Sequence, residues 1–345
     1  MGYFDVAYEN QIKGIRSNQI TAFSNSSRLI SASIKEAALS IGIDAIGITS
    51  VSAVKEKEQF LDWLNRGYGG EISYLGRNLE ERFDPVRMMA DAASIIAVGL
   101  NYHPSSEDFN RKGSPFMVAH YAWGEDYHSI LRHLLRHLRS KLRLIYPRLR
   151  GRICVDTAPF MDKYWAQMAG LGWRGKHTNL VSREFGNWLL LGGLIVNCEF
   201  DQYDNPYFDH CGNCTACLDA CPTGAIIAPH KLDARRCLSY WTIESKADRF
   251  PLNIRTKLNR SVFGCDICIK ACPFNRFQKP HQSETLRRRD YVDLIESGKA
   301  ASLSEEEFKM IFLKSSFRRP GLTGIRRNIA AAQSNIKDDE LEKNG

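Results

Sequence analysis

Seven of the ten cysteines fall into two short runs, and an eighth lies between them. The runs and the intervening cysteine are Cys211-x2-Cys214-x2-Cys217-x3-Cys221-Pro222, Cys265-x2-Cys268-x3-Cys272-Pro273 and Cys237. A [4Fe–4S] cluster is held by four thiolates, of which three come from a tight loop and the fourth from elsewhere in the chain. The spacing therefore predicts iron–sulfur chemistry, in which electrons are transferred one at a time.

The rule for two-cluster ferredoxins uses all eight cysteines, because the Cys before each Pro binds the other cluster. The first cluster is predicted to take Cys211, Cys214, Cys217 and Cys272. The second is predicted to take Cys221, Cys237, Cys265 and Cys268, where Cys237 replaces the first cysteine that the second run lacks. Structural zinc is the alternative, since Cys-x2-Cys pairs also bind zinc.

A second candidate for chemistry is Asp156, which follows the apolar segment 152–155. The ends of strands carry catalytic groups in many α/β proteins. Aspartate at such a position also commonly caps the next helix, so the sequence leaves both roles open. The two remaining cysteines, Cys154 and Cys198, are expected to be buried and unreactive.

The elements that would position these residues alternate between helix and strand over the first two thirds of the chain. Apolar residues at helical spacing predict helices in 27–41, 60–64, 129–145 and 159–170. Strands are predicted at 43–49, 94–100, 152–158 and 187–196. The pattern indicates an α/β (or α+β) fold.

The composition of the sequence changes after residue 205, where cysteines and turn residues become common and long apolar runs are absent. Two short helices, at 302–312 and 323–333, are predicted near the C-terminus. The predicted divisions are a polar tail (1–26), an α/β domain (27–205), a two-cluster ferredoxin-like domain (206–282) and a short helical segment (283–345).

Composition excludes several classes of protein. With 43% hydrophobic and 25% charged residues, the chain of 345 residues has the composition of a folded protein. No apolar run approaches the ~20 residues of a membrane helix. The N-terminal residues lack the apolar core of a secretory signal, so we expect a cytoplasmic protein whose cysteines bind metal.

The net charge of +8 permits a polyanionic partner without requiring one. Residues 132–152 contain eight Lys or Arg and no acidic residue. The plain interpretation is a core-packing helix with a solvated basic face, and the alternative is contact with phosphates. Further basic residues near the C-terminus, which make an RNA partner plausible, are Arg287–Arg289, Arg318–Arg319 and Arg326–Arg327.

Over about residues 30–330 the sequence resembles the epoxyqueuosine reductases, cobalamin-dependent iron–sulfur enzymes of tRNA queuosine synthesis. The segments that carry the resemblance are 122–128, 155–180, 185–194, 211–226, 235–244 and 263–275. The cysteine motif is shared with many ferredoxins, whereas VDT at 155–157 and GWRGKHT at 172–178 are more specific.

The resemblance implies that the α/β part binds a corrinoid beside the ferredoxin-like part. A small redox protein would supply electrons through two [4Fe–4S] clusters to cobalamin, which acts on the epoxide of epoxyqueuosine at the wobble position of tRNA. Asp156 matches the proposed proton donor. The residues implied for the corrinoid pocket are Arg82, Lys176, His177, Asn179, Leu180 and Ser239. A monomer is expected.

Two positions depart from the family pattern. Ala119 stands where some members have a Cys proposed as a second acid, and His177 stands where Asn is common. A histidine beside cobalt could be its lower ligand, although we expect His177 only to line the pocket. The alternatives are another corrinoid iron–sulfur reductase resembling the dehalogenases, an electron carrier, or an RNA-binding protein with a structural metal. The long α/β part argues against a carrier.

Overall fold

The computed structural model describes residues 28–105, 108 and 113–344. Its strands are β1 Arg28–Leu29, β2 Ala45–Ser50, β3 Ser94–Asn101, β4 Met117–Val118, β5 Gly151–Cys154, β6 Trp173–Arg174, β7 Leu180–Val181, β8 Leu189–Val196, β9 Glu199–Phe200, β10 Ile226–Ala228, β11 Lys231–Leu232 and β12 Ser261–Phe263. The predicted polar tail, residues 1–26, lies outside the described residues.

The α-helices described are α1 Ser31–Leu39, α2 Lys57–Asn65, α3 Leu79–Phe83, α4 Pro85–Met88, α5 Tyr127–Ile145, α6 Asp162–Met168, α7 Ala216–Asp219, α8 Leu252–Arg255, α9 Ile267–Lys270, α10 Tyr291–Glu296, α11 Glu305–Ile311 and α12 Gly321–Asn344. A π-helix covers Tyr240–Glu244. No helix in the described part of the chain is long and apolar enough to cross a membrane.

The central sheet has four strands in the order β2-β3-β8-β5. These are the four strands predicted from the sequence, with β5 shorter than its predicted range. Every residue of β3 is buried, because β3 lies inside the sheet and is covered on both faces. The sheet therefore forms the rigid base on which the surrounding loops and helices are placed.

All three strand pairings in this sheet are antiparallel, so the α+β form of the expected fold class is the observed one. Alternating helices and strands usually build parallel sheets. Periodicity reports which element a segment forms, but it carries no information on the direction in which the chain returns to the sheet. Asp156 follows β5, and the carboxyl end of β5 lies beside the amino end of its antiparallel neighbour β8 rather than beside a second carboxyl end.

Helix α5 packs on this sheet through Leu131, Leu135, Leu138 and Leu142, which are fully buried. The carboxylate of Asp126 caps the helix by accepting a hydrogen bond from the backbone N–H of His128, at 3.0 Å. A capped first turn has a defined position, so the side chain of His128 is placed precisely.

The C-terminal helices share a core with two distant segments. Strand β12 pairs with β4, and residues 116–123 pack with the apolar faces of α11 and α12. The predicted helix at 302–312 corresponds to α11 and begins with a capping box, because Ser304 and Glu307 exchange side-chain and backbone hydrogen bonds. Helix α12 is longer than the predicted 323–333.

Candidate active site

The structure brings the cysteines together in the two predicted sets. Cys211, Cys214, Cys217 and Cys272 line one small cavity. In the second set, burial together with the neighbouring Cys237 and Cys221 raises the pKa of Cys265 to about 12. Burial and the same two cysteines, together with Cys265, also raise the pKa of Cys268, so the four cysteines of this set lie near one another.

The two sets differ in their surroundings. Cys214 is exposed to solvent, whereas Cys265 lines the cavity described below, which also contains Asp156. Within the described residues, no group of three or more His, Cys, Asp or Glu side chains could hold a single metal ion. A [4Fe–4S] cube instead binds its four thiolates through four separate iron atoms.

The remaining cysteines, Cys154 and Cys198, are buried, as expected. Burial raises the pKa of the Cys198 thiol to about 12 and that of Cys154 further still. A thiol with a raised pKa is a poor nucleophile at neutral pH. Neither thiol is therefore expected to act as a nucleophile.

A cavity of about 590 Å³ lies between the sheet and the cysteine region. Four residues implicated by the sequence line it: Asp156, Arg82, Asn179 and Ser239. Apolar and aromatic side chains form much of the remaining wall, among them Tyr102, Tyr121, Leu189, Leu190 and Leu191. The cavity thus combines a flat apolar surface with isolated polar groups.

The other three residues implied for the pocket lie elsewhere. Lys176 and His177 line the small cavity of the first cysteine set. Lys176 Nζ donates hydrogen bonds to the carbonyl oxygens of Gly212, at 2.5 Å, and Cys214, at 2.9 Å, and so holds the cysteine loop. Leu180 packs in a small core cluster beneath the sheet.

The polar atoms at the edge of the large cavity include several that lack partners. Arg82 Nε, Asp162 Oδ1 and Arg174 Nε are buried and have no hydrogen-bond partner among the described residues. Buried polar atoms without partners are costly, so they mark sites where a ligand completes the contacts. A corrinoid has an apolar ring rimmed with amide groups, and these residues fit such a molecule.

Asp156 is hydrogen-bonded to the capped helix α5. His128 Nε2 lies 2.8 Å from Asp156 Oδ2, and His128 Nδ1 lies 2.6 Å from Asp126 Oδ1. The backbone of Asp156 has φ +47°, a left-handed conformation that is unusual for a residue other than glycine. The surrounding contacts must hold the residue there, as is common in active sites.

His128 and the two carboxylates carry defined charges at neutral pH. Burial alone would lower the pKa of His128, but hydrogen bonds to Asp126 and Asp156 raise it to about 9. Burial alone would raise the pKa of Asp156, but His128, Arg319 and Lys163 leave it below its usual value. At neutral pH the imidazole is therefore protonated and both carboxylates are ionised.

Comparison with known proteins gives consistent results. The chain is 38% identical to an epoxyqueuosine reductase from Leadbetterella byssophila, over 86% of this chain and 96% of that protein. It is 37% identical to one from Synechocystis, over 85% of this chain and all of that protein. The chain belongs to the epoxyqueuosine reductase family.

Family models match the two parts of the epoxyqueuosine reductase chain separately. Residues 82–157 match the model described as epoxyqueuosine reductase QueG, DUF1730, and residues 210–275 match the 4Fe-4S double cluster binding domain. A solved epoxyqueuosine reductase in complex with a tRNA-Tyr epoxyqueuosine-modified stem loop has a TM-score of 0.81 and 31% identity. That comparison covers 89% of this chain and 81% of the solved chain.

Sequence reasoning missed three residues of the candidate site. Asp126 and His128 lie in the segment 122–128 that carried part of the resemblance, and the Asp-x-His pattern at a helix start was a signal for them. Asp162 also lines the cavity, where burial and then the charge of Asp156 raise its pKa to about 7. Ala119 lines the same cavity.

Proposed function

We propose that this protein reduces epoxyqueuosine to queuosine at the wobble position of tRNA. Cobalamin bound in the large cavity supplies the reduction of the epoxide, with electrons delivered through two [4Fe–4S] clusters. The observation that carries the proposal is that one cavity is lined both by Asp156, bonded to a protonated His128, and by Cys265 of the second cysteine set. A proton source and an electron source therefore meet at the same place.

The ligand sets follow from the two groups of cysteines. We assign Cys211, Cys214, Cys217 and Cys272 to one cluster and Cys221, Cys237, Cys265 and Cys268 to the other. In the cobalamin site, Arg82, Asn179 and Ser239 line the cavity, and Asp162 and Arg174 add polar atoms without partners among the described residues. The domain boundaries near residues 205 and 282 are part of this proposal.

Conversion of an epoxide to an alkene and water consumes two electrons and two protons. Asp156 lines the cavity and is the group that passes one of these protons to the departing oxygen, and water supplies the other. The proton is stored on His128, which is hydrogen-bonded to Asp156 and held in orientation by Asp126. His128 is a positioning residue in this scheme, since it acts through Asp156.

The electron donor is a small redox protein that docks near the first cysteine set, where Cys214 is exposed. The thiolate ligands require a reducing environment, which supports a cytoplasmic location. We further propose that the protein acts as a monomer, because a single chain contains both cysteine sets and the catalytic cavity.

The test is to purify the protein without oxygen, add cobalamin, and measure metal content together with turnover of epoxyqueuosine-tRNA. We expect about eight iron atoms and one cobalt per chain, and nucleoside mass spectrometry should show queuosine. The same iron content without cobalt or turnover would contradict the proposal and favour an electron carrier. Zinc with little iron would overturn the cluster assignment.

A further inference from the structure

One side of helix α5 carries a row of four arginines: Arg132, Arg136, Arg139 and Arg143. At about 100° per residue, they lie within about 60° of one another around the helix axis. The sequence contains no acidic residue between Asp126 and Asp156. In the part of the chain that the structure describes, none of the four forms a salt bridge.

The row begins beside the catalytic aspartate. Arg132 is one turn after His128, and its Nη2 donates a hydrogen bond to Thr157 Oγ1, at 3.1 Å. Further along, Arg139 Nη1 donates to the carbonyl oxygen of Gly151, at 3.0 Å, and Arg143 Nε to that of Leu149, at 3.1 Å. These contacts hold the row on the side of α5 that adjoins β5.

The positive charges of the row act on one another. Burial lowers the pKa of Arg139, and the charges of Arg143 and Arg136 lower it further. On the neighbouring flank, burial lowers the pKa of His137, as do Lys141 and His133. Like charges held close together without acidic partners form a site for a polyanion.

The other basic segments noted in the sequence are engaged within the protein. Arg288 forms salt bridges with Asp293 and Glu296, at 2.9 and 2.7 Å. Arg319 pairs with Glu244, at 2.9 Å. Further pairs and backbone contacts are made by Arg287, Arg289, Arg326 and Arg327. Four of these arginines, Arg287, Arg288, Arg289 and Arg319, are ion-paired, whereas the hydrogen bonds of the row on α5 go to uncharged groups of the described residues, so the row is the better candidate for phosphates.

We propose that the arginine row of α5 binds successive phosphates of the tRNA anticodon arm and thereby aligns the wobble base with the cavity. This inference rests on the proposed function. From Arg132 to Arg143 the helix rises about 17 Å, which is long enough to contact several phosphates. Arginine suits the role because its planar guanidinium forms paired hydrogen bonds with phosphate oxygens.

The test compares Arg136→Gln and the double variant Arg136→Gln/Arg143→Gln with the wild type. Lys141→Gln is the matched control, because it removes one positive charge from the same helix about 165° away from the row. Arg136 is exposed, so its substitution leaves the core intact. Binding of an unmodified anticodon stem-loop is measured by fluorescence anisotropy across a range of salt concentrations.

We expect the double variant to bind the stem-loop about tenfold more weakly at moderate salt, with the salt slope reduced by about 1 for each phosphate that is no longer bound. KM for epoxyqueuosine-tRNA should rise while kcat at saturating tRNA stays unchanged. Equal binding and equal slope in the double variant and wild type would overturn the proposal, as would an equal reduction of affinity in Lys141→Gln. If the double variant alone bound more weakly and the wild type gave no turnover, the proposed function would be contradicted and the arginine row supported.

Discussion

His128 Nε2 lies 2.8 Å from Asp156 Oδ2, although the two residues are 28 positions apart in the chain. The hydrogen bond joins the first turn of α5 to the loop that follows β5. It makes a protonated imidazole the immediate neighbour of the carboxylate in the cavity. The reactivity of Asp156 therefore depends on the placement of α5 and of Asp126, which caps it.

Replacing Asp156 with Asn should remove activity while leaving the iron content and the affinity for the tRNA stem-loop unchanged. An amide has nearly the same shape but cannot transfer the proton, so kcat should fall by about 100-fold or more. Turnover is measured by mass spectrometry of the nucleosides, and iron content and stem-loop affinity serve as controls. Unchanged turnover would remove Asp156 from the proton pathway.

The rate of the wild-type enzyme should decline as the pH rises through about 9, where His128 loses its proton. Substitution His128→Gln should lower kcat and abolish that decline, while KM for tRNA stays the same. Asp126→Asn should move the decline to lower pH, because it removes a charge that stabilises the imidazolium. A pH profile that is identical in all three proteins would contradict the role of His128.

The same titration should affect folding stability. The pKa of His128 is raised from its ordinary value of 6.5 to about 9 in the folded protein. Its contribution to stability is fully present below 6.5 and is lost as the pH rises through about 9. Thermal unfolding of the wild type should show this loss, and His128→Gln should not. An equal pH dependence in both proteins would contradict the hydrogen-bonded arrangement.

Replacing Arg82 with Leu should have opposite effects on cobalamin binding and on stability without cofactor. Arg82 is buried and its Nε has no hydrogen-bond partner among the described residues, so an apolar replacement should keep or increase the stability of the apoprotein. Removal of a charged donor should weaken cobalamin binding by about tenfold. Titration of the apoprotein with cobalamin, followed by absorbance, measures the affinity. An unchanged affinity would place Arg82 outside the cofactor site.

The cysteine assignments predict a stepwise loss of iron. Cys214→Ala and Cys265→Ser should each reduce the iron content from about eight to about four atoms per chain. Cys198→Ala is the control, because Cys198 is buried outside both sets and should leave the iron unchanged. Full iron content in either ligand variant would refute the assignment.

Several features could be predicted from the sequence because they depend on local spacing. The cysteine runs, the four strands of the central sheet and the helices α1, α2, α5 and α11 depend on residues that are close in the chain. The chemistry of a four-cornered cluster restricts which cysteines can share it, so the sequence alone could predict two ligand sets, and the four cysteines of the first set line one cavity. The burial of Cys154 and Cys198 could also be predicted, because cysteines that bind no metal are usually buried.

Other features were decided only by the tertiary structure. The antiparallel sheet, the hydrogen bond between His128 and Asp156, and the position of Lys176 and His177 beside the first cysteine set all join distant segments. The two groups of basic residues look alike in sequence. Within the described residues, however, Arg288 and Arg319 form salt bridges with acidic residues, whereas the arginine row of α5 forms none. Composition and periodicity record which residues a segment contains. The folded chain determines which charged groups lie within a few ångströms of one another. At that distance, desolvation and hydrogen bonding determine which of these groups are protonated.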